Sequence, residues 1–455
     1  MKHNRRHFIA AAAATTAAAL VPLRASAATQ RVVVVGGGMA GATVAKYLRL
    51  WSNKTIEVTL VEQNTTYVSN IMSNLVVTGQ LALSSLNVNH SKLVSSYGIK
   101  LVTASVTAVE SAGAGLWKIT TRATNGSIGT LYAERVVLAP GIQMDPVPET
   151  SDPSKTANIL HAWIAGSQTD LLRQRLAAMT PGGTFLMSIP PKPYRCPPGP
   201  YERACVVADY LKRNKPNSRL VVLDANPGIS AEPENFGYAF STLYADVLHY
   251  IPNAKVVSVD SASGTVTADV TSAGVTVRQQ FASNVLNVIP PHRAGAIVQL
   301  AGLANATDKP FAQVWPYSFE SVEKPGLHII GDSHRTTGTG GTGLPMAGHV
   351  GNQEAKICAS AIINQFAGKS VDTAYMVANS ACYSPVSSTQ ASWLTAVYHY
   401  EDYTDPKTGL TTKKFVIHDY VSGTTGIATE ALQPSTKNFS KMNTWFKSLM
   451  SETFS

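Results

Sequence analysis

Arg31-Val-Val-Val-Val-Gly36-Gly37-Gly38-Met39-Ala40-Gly41 decides the fold of this chain. A run of β-branched residues without alternation reads as a strand buried on both faces of a parallel sheet. It leads directly into glycines spaced G-x-G-x-x-G at Gly36, Gly38 and Gly41, and the following Ala42-Thr-Val-Ala-Lys-Tyr-Leu-Arg-Leu reads as a helix. The glycines permit a tight turn and a close backbone approach, and the helix N-terminus presents free N–H groups and a positive dipole end to a pyrophosphate. The next strand, Ile56-Glu-Val-Thr-Leu-Val61, ends at Glu62, where a carboxylate can accept hydrogen bonds from ribose hydroxyls. Strand, glycines, helix and acidic strand end together mark a dinucleotide-binding unit.

Two later segments separate a flavin dinucleotide from a nicotinamide one. Arg135-Val-Val-Leu-Ala139-Pro140-Gly141 is a strand with a small-residue turn, and Gly326-Leu-His-Ile-Ile-Gly331-Asp332 is a strand ending in Gly-Asp. The first resembles the strand and turn that close the opening half of the FAD domain in two-dinucleotide flavoproteins, and the second resembles the strand whose aspartate there holds a ribityl hydroxyl. In this order the segments point to FAD. Between them, Thr184–Ile189 reads as a strand, Pro200–Asn214 as a helix and Arg219–Asp224 as another strand, a second βαβ unit where such enzymes bind NAD(P)H. Its loop, Pro190-Pro191-Lys192-Pro193-Tyr194-Arg195-Cys196-Pro197-Pro198, replaces the expected glycines with prolines. Proline has no N–H to offer a phosphate, so no NAD(P)H is expected to bind.

The 455 residues, 44% hydrophobic and 14% charged, suffice for two or three domains with large cores. The first residues carry a basic start with Arg5-Arg6, a short alanine-rich run and Ala25-Ser26-Ala27, the pattern of a twin-arginine export signal rather than a membrane span. Periplasmic location follows as an expectation. The leader holds Lys2, Arg5, Arg6 and Arg24 and no acidic residue, so the net charge of +9 falls to +5 without it. A charge that modest and scattered does not imply nucleic acid. Four cysteines, with no C-x-x-C or Cys/His cluster, indicate neither a disulfide scaffold nor a bound metal or attached haem.

At Arg195-Cys-Pro-Pro-Gly-Pro-Tyr-Glu-Arg-Ala the chain resembles the flavin subunit of flavocytochrome c sulfide dehydrogenase, a relative of the sulfide:quinone oxidoreductases. The likeness includes the opening valine–glycine run, His161-Ala-Trp-Ile-Ala-Gly166, Asn287-Val-Ile-Pro-Pro-His-Arg-Ala-Gly295, Leu300-Ala-Gly-Leu303, Phe319-Glu-Ser321 and Gly331-Asp332. It implies an α/β, glutathione-reductase-like fold of two Rossmann-type domains plus a C-terminal α+β interface domain. The expected division is a leader at 1–27, FAD-domain parts at 28–150 and 276–350, an inserted domain at 151–275 and the interface domain at 351–455. The resemblance further implies oxidation of sulfide or a related small sulfur compound, with electrons passing through FAD to a c-type cytochrome subunit. Cofactor contacts are implied for Gly36, Gly38, Met39, Ala40, Gly41, Glu62, Gln63, Asn74, Val106, Ala139, Gly141, Gly331 and Asp332.

Cys196 is the expected catalytic thiol, its thiolate favoured by Arg195 and the helix start just beyond. Glu202 is the expected proton carrier; a carboxylate that merely complements the helix dipole is the other reading. The family pairs its first cysteine with a second shortly before Phe-Glu-Ser, where this chain has Ala312. The stretch Tyr67–Asn74, where many members attach the flavin through cysteine, has none either, so the flavin is expected to be non-covalent. Cys205, Cys358 and Cys382 read as structural. With one thiol left, a dehydrogenase for another small substrate and a degenerate electron-transfer subunit both stay open. The insertion Thr336–Gly343 reads equally as a lid or as a tolerated loop.

Overall fold

The computed structural model describes residues 30–150, 153–305, 310–335, 343–374, 376–405, 408–418 and 428–455. The expected leader and all of the 336–343 insertion except Gly343 lie outside the described residues.

The valine run forms β1 (Arg31–Val35), and the glycine turn opens into α1 (Met39–Trp51). β2 (Glu57–Glu62) runs parallel to β1 with Val33 opposite Thr59. A short α2 (Ser73–Val77) follows, and then β3 (Lys100–Thr103), which extends the sheet parallel to β2. An antiparallel meander over residues 105–133 precedes β4 (Arg135–Leu138), which returns to the other side of β1. Val32–Val35 and Val136–Leu138 are all buried, as continuous apolar runs in a two-sided parallel sheet should be.

The second unit begins with α3 (Ser167–Ala178) and β5 (Thr184–Ile189), continues through α4 (Gly199–Asn214) and β6 (Arg219–Asp224), and adds β7 (Leu248–Ile251) and β8 (Val285–Val288). The strands lie all-parallel in the order β7–β6–β5–β8. Because β8 belongs here, this sheet extends past the boundary expected at residue 275. The chain then returns to the first sheet as β9 (Leu327–Ile329), beside β4.

Helix α5 (Gly348–Phe366) packs along α1. The remainder is an antiparallel sheet of β10 (Val377–Pro385), β11 (Ala391–Thr404) and β12 (Thr411–His418), closed by α6 (Thr436–Phe454). Ser435 caps α6, its hydroxyl accepting from the Asn438 N–H at 3.1 Å. The architecture is mixed α/β, two parallel sheets joined to an antiparallel C-terminal sheet. Among the described residues, no helix is long and apolar enough to cross a membrane.

Candidate functional site

The carboxyl ends of β1 and β4, the start of α1, the start of α4 and the inner face of β10 converge on one cavity of about 450 Å³. Open parallel sheets place ligands at such strand ends. Gly36, Gly38, Met39, Ala40, Glu62, Gln63, Asn74, Ala139, Gly141, Gly331 and Asp332 line it, together with Cys196 and Glu202.

The turn between β1 and α1 cannot hold larger residues. Gly36 has φ +98°, and a Cβ on Gly41 would lie 1.8 Å from the Gly36 carbonyl oxygen. Gly41 is therefore the packing glycine that seats the helix, and it does not itself reach the cavity lining. No side chain caps the N-terminus of α1. Glu62 accepts from the Gly37 N–H at 2.6 Å and also from Asn64, which fixes its carboxylate beside the turn. At the far end Asp332 is half-buried, and its buried Oδ1 has no hydrogen-bond partner among the described residues. Burial pushes its carboxyl up to about 6. A buried acceptor left unpaired is expensive, and a hydroxyl donor presented from the cavity would relieve it. The uncapped helix start, the glycine cradle and this aspartate fit a flavin dinucleotide.

Val106 departs from expectation. It sits on the meander, paired with Thr121 across the antiparallel ladder, and is not among the lining residues. Asn74 lines the cavity, but its amide is engaged by protein. Its Nδ2 donates to the Gly199 carbonyl and to Glu202, both at 3.0 Å, and its Oδ1 accepts from Arg203 at 2.9 Å. Arg203 is fully buried; it also donates to the carbonyls of His161 and Ala162 and lies over the Trp163 ring. A buried guanidinium needs this much satisfaction, and the result is a rigid floor beneath the start of α4.

Cys196 stands just before that helix, its carbonyl accepting from the Gly199 N–H at 3.0 Å. Arg195 turns its guanidinium to the Trp163 carbonyl, and the Trp163 indole N–H donates to the Arg195 carbonyl. Glu202 is more than a helix-start charge. It accepts from Asn74 and from the Ser384 hydroxyl at 3.2 Å, and burial holds its carboxyl up at about 7. The same hydroxyl hydrogen-bonds to Glu232, which burial holds at about 8. Two carboxyls that gain protons near neutrality, half-buried Glu202 and fully buried Glu232, thus meet at one serine of β10. A third, Asp224, is committed elsewhere: its carboxylate accepts from Tyr201 at 2.9 Å, Tyr250 at 2.7 Å, and the backbone and side chain of Asn226.

The sequence reading of Cys382 needs correction. It was expected to be structural, yet it lines the cavity from β10, and its thiol meets that of Cys196 directly. Contact with Cys196 and burial together push the Cys382 thiol well above its ordinary range. Cys205 and Cys358 are fully buried and absent from the lining. Ala312 is buried and also absent from it. Trp163, Asn70, His349, Tyr383 and Trp445 line the cavity without having been singled out from the sequence as site residues. Among the described residues, no group of His, Cys, Asp and Glu could hold a metal ion.

Comparison with known proteins agrees with this geometry. Residues 169–290 match the family model of the sulfide dehydrogenase [flavocytochrome c] flavoprotein chain, central, and residues 30–163 match that of pyridine nucleotide-disulphide oxidoreductases. The structure is similar to the sulfide:quinone oxidoreductase of the hyperthermophilic bacterium Aquifex aeolicus, at 15% identity and a TM-score of 0.71, over 93% of this chain and 91% of that one. It is also similar to an NAD-dependent persulfide reductase from A. fulgidus, at 14% identity and a TM-score of 0.61, over 93% and 77% of the two chains. At these identities the structural likeness speaks for the fold.

Proposed function

Taking as premise that the chain is a flavoprotein of the flavocytochrome c sulfide dehydrogenase type, we propose that it oxidises sulfide or a closely related reduced sulfur compound. The electrons leave through non-covalent FAD to a c-type cytochrome subunit. The observation that carries this reading is a half-buried cysteine, Cys196, opening into the same cavity as the glycine turn and Asp332.

The residues divide the work as follows. The start of α1 and the Gly36–Gly38 turn receive the pyrophosphate, Glu62 the ribose and Asp332 a ribityl hydroxyl. When bound, the flavin supplies a two-electron acceptor that can be reoxidised in single-electron steps. Cys196 supplies the sulfur nucleophile, which must be a thiolate to react. Glu202, with its carboxyl poised at about 7, takes or returns the proton that thiol and hydrosulfide must exchange. Ser384 links it to Glu232, which extends the proton path away from the cavity. The Arg203–Asn74 floor holds Glu202 in place.

Electron delivery by NAD(P)H is not part of this proposal. The prolines at 190–198 lack donors, and Asp224, where a ribose carboxylate would stand, already accepts four hydrogen bonds from protein. Export rests on the twin-arginine pattern of the leader, which would carry a folded, cofactor-loaded chain to the periplasm. The test is steady-state reduction of a c-type cytochrome by the purified holoprotein. Sulfide should support turnover, and NADH and NADPH should not. Turnover with NADH and none with sulfide would overturn the proposal.

A further inference from the structure

Ser384 is fully buried on β10, and its single hydroxyl meets two carboxyls. Its Oγ lies 3.2 Å from Glu202 Oε1 and also hydrogen-bonds Glu232 Oε1. A serine hydroxyl has one proton to donate, and its lone pairs can only accept. It cannot donate to two carboxylates at once, so closing both bonds requires that one carboxyl carry a proton and donate it to Oγ. The surroundings decide which one. Glu232 is fully buried, and the charges acting on it, Glu202 and Glu430, are both acidic. Glu202 has the Arg203 guanidinium as a neighbour and a second donor in Asn74 Nδ2 at 3.0 Å. The other titratable groups facing the pair are the thiols of Cys205 on α4 and Cys382 on β10. Both are pushed well above their ordinary range, Cys205 by burial and Cys382 by contact with Cys196. At rest the proton therefore belongs to Glu232 and the negative charge to Glu202.

We propose that Glu202, Ser384 and Glu232 form a relay holding one shared proton, with Glu232 as its buried reservoir and Ser384 as the group that turns it over. Ser384 and Glu232 are positioning residues, acting on the chemistry through Glu202. Use of the relay in sulfur oxidation rests on the function proposed above. A proton taken up from the cavity by Glu202 reverses the chain of bonds: Glu202 donates to Ser384, and Ser384 donates to Glu232. The proton that Glu232 held departs on its far side. There Glu232 opens the short helix Pro233–Tyr238, whose Asn235 donates through Nδ2 to half-buried Glu430 at 2.7 Å. Transfer from Glu202 to Oγ, and from Oγ to Glu232, then restores the resting state. One proton has entered from the cavity, one has left towards solvent, and Ser384 ends as the neutral hydroxyl it began as.

The test uses the full-length, flavin-loaded protein with glutamate isotope-labelled at its carboxyl carbon, so that infrared spectra report protonated glutamate as pH is varied. Bound flavin reports folding in each variant. Wild type should keep a protonated-glutamate band through neutral pH, and its absence there would overturn the proposal. In Glu232→Gln the new amide donates to Ser384 in the proton's place, so the band should vanish near neutrality and the proton affinity of Glu202 should fall by about tenfold or more. Relief of like-charge repulsion would also lower that affinity, so the same substitution is repeated beside Ser384→Ala and Ser384→Thr. The fall should persist with the threonine hydroxyl and be lost with alanine; an equal fall with alanine overturns the relay. The pH profile of flavin bleaching by sulfide should move with the Glu202 titration. A profile that stays put while the titration moves overturns the relay's part in sulfur oxidation and leaves the shared proton standing. Coupled titration in a protein that sulfide cannot bleach overturns the sulfide reading and leaves the relay standing.

Discussion

The two βαβ units of this molecule share a scaffold and differ in their loops. In the first, β1 meets α1 through glycines packed so tightly that a side chain on Gly41 would run into the Gly36 carbonyl, and the helix N-terminus is left bare. In the second, β5 meets α4 through prolines, Tyr194, Arg195 and Cys196, and the space beneath is filled. Tyr201 and Tyr250 donate to Asp224, and Tyr194 reaches Ser230 at 2.8 Å. A parallel sheet fixes where a ligand goes only if the loop leaves donors and room. Where donors and room are removed, the same position becomes a mount for side-chain chemistry, here a thiol aimed at the neighbouring unit's cavity.

Substitutions can break that contrast in graded ways. Gly41→Val should have the largest effect, because its Cβ must displace backbone rather than a flexible side chain. Purified protein should lose its flavin absorbance entirely, and a yellow, flavin-loaded variant would refute the cradle. Glu202→Gln should retain flavin and lower the sulfide-dependent kcat by about 10²-fold or more, within the range for a lost general acid or base. The ionisation near pH 7 should vanish from its pH profile, whereas a merely structural role would leave the profile's shape intact.

In the second unit, Asp224→Asn should lower stability by about 1–3 kcal/mol, since an amide cannot accept all four donors. Chemical denaturation would measure it, and NADH should still fail to reduce the flavin. Glu232→Gln should give the smallest and most pH-dependent change. Its carboxyl is raised to about 8 in the fold, so its protonated form stabilises at low pH and that contribution is lost as pH rises from about 5 through 8. Thermal midpoints of wild type should therefore fall relative to Glu232→Gln across that window, and parallel curves would contradict the assignment.

Most of the frame was legible in the residues because it is local. The strands at Arg31–Val35, Thr184–Ile189 and Arg219–Asp224 occur as the apolar runs indicate, and the α4 start falls within a residue of Pro200. Asp332 was found by its strand-end position, and it proves to be a buried, unpaired acceptor. Cys382 was missed because its meaning is entirely long-range. Val377–Pro385 mixes Asn, Ser and Cys without a clear apolar alternation, and only its pairing with β11 and the Ser384–Glu202 bond turns Cys382 inward. Ser384 and Glu232 were missed for the same reason. Val106 erred the other way: a position borrowed from a resemblance fell on a meander strand that carries it out of the cavity lining.

The central claim is that a thiol mounted on the second unit, in place of a nicotinamide, delivers electrons to the first. Anaerobic stopped-flow mixing of the flavin-loaded protein with sulfide, wild type beside Cys196→Ser, tests it most directly. Wild type should bleach its flavin rapidly and in proportion to added sulfide, while Cys196→Ser, with equal bound flavin, should bleach at least about 10²-fold more slowly. Equal bleaching rates in the two proteins would contradict it.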